Sequence, residues 1–242
     1  MREGSLARDE HRSQHSEDLL ALLSRGLDKP LRECRVLDVG CGKGVLSFAI
    51  APVVAFLKGI DVGAAHIREC NLRKEREGIS NVEFEERSLY DLESTADYDI
   101  VLMSDVIEHV VRQKEALEKA LGTLLPGGII FLTTNNRWWP IEGHKYLPFL
   151  TYLPKGLANR YVRVMKRGNG YGGYHLMGYF ELRKLLDSLD VDYSFEPPLS
   201  PSKPTYRVGA WLLRRSSLFW CLANAFQVII TKRSGYGVVR DR

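Results

Sequence analysis

Cysteine is scarce in this sequence, and long apolar runs are absent. The 242 residues include four cysteines, at positions 34, 41, 70 and 221, and these positions show no paired spacing. The spacing suggests neither a zinc knuckle nor a disulfide framework, so we expect a reducing, cytosolic setting. No run approaches the roughly 18 apolar residues that a membrane span needs. The best candidate, which begins at Val208, is interrupted by Arg214 and Arg215.

Internal repeats, low-complexity tracts and a recognisable leader segment are also missing. The first fifteen residues, MREGSLARDEHRSQH, are polar and charged and predict no secretory signal. Hydrophobic residues make up 45% and charged residues 26% of the chain. These proportions are typical of a soluble globular enzyme, and the length suits one α/β domain with some elaboration.

Charge and aromatic residues are distributed unevenly along the chain. Residues 1–135 carry 17 Lys/Arg and 23 Asp/Glu, a net charge of −6, whereas residues 136–242 carry 17 and 7, a net charge of +10. Of the 24 aromatic residues, 18 lie in the second part. Two interpretations stay open: a basic solvated face, or an aromatic and basic segment that meets an anionic partner.

Strand-like apolar runs alternate with helical patterns between residues 34 and 134. The strand-like runs are RVLDV, VVAFLKGID, VEFEER, YDIVLMS and IIFLTT. Helical spacing appears in AAHIRECNLRKEREG and DVIEHVVRQKEALEKALGTLL, and an amphipathic helix is predicted over residues 16–28. Strands that alternate with helices imply right-handed crossovers and a mostly parallel sheet, so the predicted class is α/β.

The pattern changes after Thr134, where aromatic, proline-punctuated and glycine-rich segments replace the alternation. GYFELRKLLDSL returns to helical spacing, and VDYSFE and FQVIITKR are two more candidate strands. We therefore predict a single domain over residues 1–242, with a core at about 30–135. We interpret two segments as insertions: the first insertion, about residues 136–178, and the second insertion, about residues 197–225. The segment WLLRRSSLFWCLA in the second insertion either covers the domain's own core or lies at a membrane interface.

The stretch VLDVGCGKG indicates a ligand-binding turn at the end of the first strand. Glycines at a strand-to-helix turn let the backbone approach a ligand closely. Here the order is Gly40-x-Gly42-x-Gly44, two residues behind Asp38, whereas a dinucleotide-binding turn reads G-x-G-x-x-G and receives a pyrophosphate. A carboxylate at this position would repel a pyrophosphate and attract a cationic amino group. S-adenosylmethionine (SAM) carries such a group and no phosphate.

Asp61 ends the next strand and supports nucleoside binding, because a carboxylate there can accept both ribose hydroxyls. With both features, the glycine turn and Asp61, the sequence resembles the class I SAM-dependent methyltransferases over about residues 34–135. VLDVGCGKG, GIDVG, YDIVLMSDVIEHV and LLPGGIIFLTT fall in the order of that family's motifs. The resemblance implies a Rossmann-like, seven-stranded, mostly parallel sheet with helices on both faces. It assigns VDYSFE and FQVIITKR to an antiparallel terminal hairpin.

The same resemblance implies SAM as the cofactor and a set of residues around it. Ser88 stands where the adenine-contacting loop often carries Asp, and a hydroxyl accepts from the adenine amino group more weakly than a carboxylate does. The cofactor-binding residues expected from the motifs are Asp38, Gly40, Cys41, Gly42, Gly44, Asp61, Val62, Ser88, Leu89 and Ser104.

SDVIEHV contains candidate catalytic residues, since Asp105, Glu108 and His109 have the i, i+3, i+4 spacing of one helix face. The stretch resembles the Glu-His signature of ubiquinone-biosynthesis O-methyltransferases and their type-11 relatives. It is also similar to a metal-binding pattern of terminal ribose methyltransferases of small RNAs. Three interpretations stay open: Asp105 as a helix N-cap with Glu108 completing a capping box, metal ligation, or acid/base chemistry.

A second candidate, NRWWPIEGHKYLPF, follows the fifth strand at the edge where open α/β sheets bind ligands. Asn135, Asn136, Glu142 and His144 could face an acceptor, with Trp138 and Trp139 as pocket walls; His175 is more distant. The alternative is a packed aromatic insertion. From both candidates we predict His109, His144 and Glu108 as catalytic and no metal site.

The predicted function is SAM-dependent methyl transfer, on the oxygen of a small-molecule, lipid or glycan acceptor. The alternatives are an RNA methyltransferase, a SAM-binding module without catalysis, and an NAD-linked dehydrogenase. RNA is less favoured because the basic residues are scattered and no recognised RNA-binding module accompanies them. We expect a cytoplasmic protein, with peripheral membrane contact if the WLLRRSSLFWCLA segment lies at an interface.

Overall fold

A seven-stranded sheet forms the centre of the computed structural model, which describes residues 17–197, 213, 215 and 217–233. The strands in the middle of the sheet are apolar runs that are buried for most of their length, whereas the two edge strands carry more polar and exposed residues. The strands are β1 (Arg35–Val39), β2 (Phe56–Asp61), β3 (Val82–Glu86), β4 (Tyr98–Ser104), β5 (Leu124–Asn135), β6 (Val191–Glu196) and β7 (Ala225–Lys232).

The strand order is β3-β2-β1-β4-β5-β7-β6. Strands β1 to β5 pair in parallel, and β7 pairs antiparallel with both β5 and β6. The Rossmann-like α/β fold is confirmed, including the antiparallel hairpin from VDYSFE and FQVIITKR. Because the first five strands are parallel, their carboxyl ends lie at one edge, where the sequence places its glycine turn.

Helices cover both faces of the sheet. They are α1 (residues 17–25), α2 (Val45–Ile50), α3 (Ala64–Glu77), α4 (Gln113–Thr123), α5 (Lys155–Val164) and α6 (Tyr179–Asp187). In β4, Ile100 and Leu102 pack with residues of α1, α2 and α3, whereas Val101 and Met103 pack with α4 and α6. Successive side chains of a strand point to opposite faces, so the apolar run of β4 supplies both cores.

Two helices differ from the sequence prediction. The helix predicted from Asp105 begins at Gln113, because Asp105 has a left-handed φ of 54° and Val110 is extended. The β-branched pair at positions 110 and 111 also disfavours a helix. The second, α5 in the first insertion, was not predicted from the sequence. Its Ala158 and Val162 are buried against Leu147 and Leu150, in a small cluster of their own.

Candidate active site

The glycine turn between β1 and α2 requires glycine at two positions for different reasons. Gly40 has a left-handed φ of 66°, and a Cβ there would lie 2.6 Å from Val106 Cγ2. Gly42 has a φ of 52°, but a Cβ there would have no neighbour within 4 Å. Glycine is therefore required at position 40 because the loop after β4 leaves no room for a side chain. At position 42 the left-handed backbone favours glycine, and the space above the turn is open.

Asp61, at the end of β2, connects the glycine turn to the loop that precedes α3. Its Oδ2 accepts a hydrogen bond from Gly42 N at 2.9 Å, and its Oδ1 accepts one from Gly63 N at 2.7 Å. Each carboxylate oxygen can accept more than one hydrogen bond. The carboxylate thus retains acceptor capacity toward a ligand while it orders both loops.

A cavity of about 700 Å³ lies at this edge of the sheet and collects several predicted cofactor residues. Leu89 is buried, and Ser88 Oγ accepts a hydrogen bond from Tyr90 N at 3.2 Å, which holds the loop after β3. Asp105 and His109 border the same cavity. The predicted cofactor residues in its wall are Gly40, Asp61, Val62, Ser88 and Leu89.

The other predicted cofactor residues lie outside that wall. Gly42 and Gly44 belong to the adjoining turn, and Cys41 donates its backbone N–H to Ile60 O at 3.0 Å. Burial raises the pKa of the Cys41 thiol, so the side chain stays neutral. Ser104 borders a separate cavity of about 750 Å³ that also includes Thr133 and Asn135.

Asp38 is buried beneath the glycine turn. Its side chain is 3% exposed, and its Oδ2 accepts a hydrogen bond from Ser47 Oγ at 2.5 Å. Burial, opposed by the Ser47 hydrogen bond and reinforced by the charge of Asp61, raises the pKa of Asp38 to about 7. The carboxyl is therefore poised to change protonation when a cation approaches.

The capping interpretation of SDVIEHV is wrong. Asp105 does not cap α4, whose N-cap residue is Arg112, and Glu108 lies in a 3₁₀ turn that spans Ile107–His109. Asp105 instead pairs with β5: its N–H donates to Thr133 O at 3.1 Å. The predicted shared helix face of Asp105, Glu108 and His109 is absent for the same reason.

Glu108 is fully buried at the base of the candidate site. Its Oε2 accepts a hydrogen bond from Thr134 Oγ1 at 2.9 Å, and its Oε1 lies 3.4 Å from Asn135 Nδ2. Burial raises the pKa of Glu108, and the hydrogen bond from Thr134 opposes that shift. Two side chains at the carboxyl end of β5 thus hold this carboxyl in place.

His144 and Glu142 form a hydrogen-bonded pair in the first insertion. His144 Nδ1 lies 2.8 Å from Glu142 Oε1, and Glu142 is 3% exposed. The hydrogen bond to Glu142 raises the pKa of His144, although burial opposes it. Burial alone would raise the pKa of Glu142, but hydrogen bonds from His144 and from Lys145 N lower it overall.

The fold brings the three predicted catalytic residues together from two distant segments. The ring centroids of His109 and His144 are 5.3 Å apart. The potential ligand atoms of Glu108, His109 and His144 all lie within 4.8 Å of one another. Burial lowers the pKa of His109, and the neighbouring His144 lowers it further, so His109 favours the neutral form.

Tyr174 completes this cluster and was not predicted. Its ring centroid lies 4.2 Å from that of His144 and 5.3 Å from that of His109. The glycines around it obscured any periodic signal; the only sign in the sequence was an aromatic residue in a glycine-rich loop. Tyr174 and the two histidines form a compact ring cluster between the loop after β4 and the first insertion.

Several other candidates have structural contacts instead. Asn136 is buried and donates to Cys221 O at 3.1 Å and to Ala223 O at 2.7 Å. The backbone N–H of His175 donates to Glu108 O, but His175 borders a different cavity from the one that His109 borders. Trp220 is buried in the main core beside Phe195, which agrees with the core-covering interpretation of its segment. Trp211 and Arg214 of that segment lie outside the described residues.

The fold, and the glycine turn with the Asp61 carboxylate beside it, are those of a SAM-dependent methyltransferase domain. A family model described as a methyltransferase domain matches residues 31–154. The chain belongs to this family. Within the described residues, no helix combines the length and apolarity that crossing a bilayer requires.

Relatives of known name agree with this class. The chain is 35% identical over 129 residues to a ubiquinone biosynthesis O-methyltransferase of Acinetobacter baylyi, over 50% of this chain and 53% of the relative. It is 33% identical over 144 residues to the enzyme of that name from Paracidovorax citrulli, over 57% and 59% of the two chains. The chain thus spans about half the length of the curated relatives it matches.

Solved structures with low sequence identity show the fold. The plantazolicin methyltransferase BpumL, solved with S-adenosylhomocysteine (SAH) and a substrate analogue, is 20% identical and has a TM-score of 0.58. The match covers 96% of this chain and 90% of BpumL. The magnesium protoporphyrin IX methyltransferase of Synechocystis, solved with SAM, is 15% identical, with a TM-score of 0.56 over 91% and 79% of the chains.

Proposed function

We propose that this protein transfers a methyl group from SAM to an oxygen of a small-molecule, lipid or glycan acceptor. The observation that carries the proposal is the His144–Glu142 pair, placed beside His109 and next to the cavity of the glycine turn. A hydroxyl acceptor needs a base, and a histidine hydrogen-bonded to a carboxylate supplies one. The names of the curated relatives, which are O-methyltransferases of ubiquinone biosynthesis, support oxygen as the acceptor atom.

The residues around the cavity fit SAM. Open space above Gly42 admits a ligand close to the backbone, and Asp61 offers carboxylate oxygens to a ribose diol. The Ser88 hydroxyl and the apolar Leu89 suit an adenine ring. Asp38 would balance the charge of the amino group, and Gly40, Cys41, Gly44, Val62 and Ser104 would complete the surroundings of the cofactor.

When bound, SAM supplies an electrophilic methyl group on a sulfonium sulfur. The chain must align the acceptor, exclude water and remove a proton from the acceptor. With Nδ1–H of His144 donating to Glu142, Nε2 is left as an acceptor for the hydroxyl proton. His109, which favours the neutral form, and Tyr174 would form the walls that orient the acceptor beside that nitrogen.

The three predicted catalytic residues also suggest a second mechanism, in which they bind a metal ion. Glu108, His109 and His144 offer a carboxylate oxygen and two imidazole nitrogens, a donor set that suits a divalent cation. A cation at this position would polarise the acceptor oxygen directly. We favour the base, because His144 already has a carboxylate partner that stabilises its protonated form.

The test is methyl transfer from labelled SAM to pools of quinol, lipid and sugar acceptors. His144→Gln should lower turnover by 10²-fold or more, the usual contribution of a general base, with SAH affinity unchanged by calorimetry. Lys114→Gln is the control, since Lys114 is exposed on α4 and borders neither the cofactor cavity nor the histidine cluster. Equal turnover in the two variants would refute the proposal. Turnover that EDTA abolishes and added Mg²⁺ or Zn²⁺ restores would favour the cation.

We further propose that residues 1–242 act as one methyltransferase domain in the cytoplasm, in peripheral contact with a membrane. The four cysteines are free thiols, which supports a reducing compartment. The first insertion exposes large apolar side chains, including Tyr146 (70% exposed), Phe149 (59%) and Val164 (69%), and no Asp or Glu occurs between residues 143 and 180. An apolar and basic surface suits the headgroup region of an anionic bilayer.

A further inference from the structure

A third cavity, of about 810 Å³, is bordered by Tyr174, whose ring also contacts those of the two histidines; neither histidine borders this cavity. Its wall is formed by residues of the first insertion, by α6 and the residue after it, and by Gln113 at the start of α4. Residues 171–177 form a strap between this cavity and the histidine cluster, and Tyr174 of the strap belongs to both.

The strap is held at several points, so the cavity is formed without a ligand. The backbone N–H of His175 donates to Glu108 O at 2.6 Å, and Gln113 Nε2 donates to His175 O at 2.8 Å. At its end, Arg137 N donates to Met177 O at 3.1 Å. A site that is already ordered binds its ligand without the entropic cost of ordering the loop.

The wall of the cavity is cationic. It contains Arg137, Lys155 and Lys184 but a single carboxylate, that of Glu181. Glu181 is already engaged: its Oε2 accepts from Gly178 N at 2.7 Å, and its Oε1 lies 3.5 Å from Arg137 Nη1. Within the described part of the chain, neither lysine has a carboxylate at ion-pair distance. The wall thus carries about two positive charges without a counterion.

We propose that this cavity binds the phosphoryl group of the methyl acceptor. A phosphate monoester carries a charge of about −1.5 to −2 at neutral pH, which matches the uncompensated charge of the wall. Arginine and lysine are the residues that phosphate oxygens prefer. The inference rests on the proposed function, because it assigns the acceptor of that same reaction to phosphorylated compounds.

The geometry fits an acceptor that spans the strap. Tyr171 and Tyr174 present aromatic rings to the cavity, and Tyr174 stacks on His144. A compound with its phosphate between Lys155 and Lys184 could pass Tyr174 and present a hydroxyl to His144. The phosphate would then supply binding energy at a distance from the reacting oxygen, which serves to position that oxygen.

The probe is phenyl phosphate, titrated into the full-length protein by calorimetry at fixed ionic strength. The double variant Lys155→Gln/Lys184→Gln removes two charges from the wall. The control Arg163→Gln/Lys166→Gln removes two exposed charges from the same insertion, outside the cavity. We expect saturable binding by the wild type and the control, and at least tenfold weaker binding by the double variant, with SAH affinity equal in all three proteins.

Equal phenyl phosphate affinity in the double variant and the control, or no saturable binding by the wild type, would overturn the proposal. A failure of the proposed function would look different, because SAH affinity and turnover are measured separately. It would appear as absent SAH binding, or as turnover that does not depend on His144. Vesicles of phosphatidylcholine with and without phosphatidic acid distinguish the source of the phosphate. Competition with phenyl phosphate would indicate a phosphorylated lipid, and its absence a soluble phosphate ester.

Discussion

Replacing Asp38 by asparagine should stabilise the ligand-free protein at neutral and alkaline pH. The carboxyl is buried, and its pKa is raised from 3.8 to about 7. A folded pKa above the unfolded one means that the native state holds the proton more tightly. Its stability therefore falls as the pH rises from about 4 to about 7 and changes little above that. A difference of roughly 3 units corresponds to about 4 kcal/mol.

Asparagine has nearly the same shape, can accept the Ser47 hydrogen bond and cannot ionise. We expect Asp38→Asn to unfold at the same urea concentration as the wild type near pH 4. Its advantage should grow by about 1.4 kcal/mol per pH unit and level off above pH 7, at up to about 4 kcal/mol. The measurement is urea unfolding without SAM at several pH values. Ser47→Ala is the matched variant and should lose stability at pH 8, because the carboxylate then lacks its donor.

The Asp38→Asn variant also tests whether Asp38 contributes to SAM binding. If Asp38 balances the amino group of SAM, binding should release a proton below pH 7 in the wild type and not in Asp38→Asn, with weaker binding by the variant. Calorimetry in buffers of different ionisation enthalpy measures the released proton. A stability difference that is independent of pH would refute the argument from burial, and unchanged SAM affinity would refute the role in binding.

Three further substitutions follow from the geometry. Gly40→Ala should lower the free energy of unfolding by about 2–5 kcal/mol, because the cost of a left-handed backbone and the cost of the contact with Val106 add together. Gly42→Ala should lower it by only about 1–2 kcal/mol, because the new Cβ meets no neighbour, yet this variant should bind SAH more weakly. Equal stability losses in the pair would contradict the packing argument. Glu142→Gln should lower the pKa of His144, measured by NMR titration, because the hydrogen bond that raises it loses its charge; an unchanged pKa would show that Glu142 does not tune the histidine.

The sequence predicted the sheet and the cofactor edge because local signals agree there. Buried strands such as YDIVLMS are continuous apolar runs, and the glycine turn needs left-handed backbone that other residues resist. Asp61 could be placed because it follows an unmistakable strand. The terminal hairpin came from the family resemblance, since its order in the sheet depends on contacts between residues nearly a hundred positions apart.

The loop after β4 could not be predicted in detail. Asp105, Glu108 and His109 have helical spacing, but pairing of Asp105 with β5 and the burial of Glu108 against Thr134 impose another backbone. The meeting of His144 with His109 is a tertiary contact between segments without periodicity, so the sequence indicated the residues and not their distance. Tyr174 was missed for the same reason.

The position of β7 has a consequence for how the protein is made. This strand comes last among the described strands, yet it lies between β5 and β6. On the ribosome, β5 therefore has one unpaired edge, and β6 lacks its partner strand of the described sheet, until residue 232 has left the exit tunnel. An exposed strand edge invites pairing with another chain. A nascent chain stalled before residue 225 should therefore need chaperones.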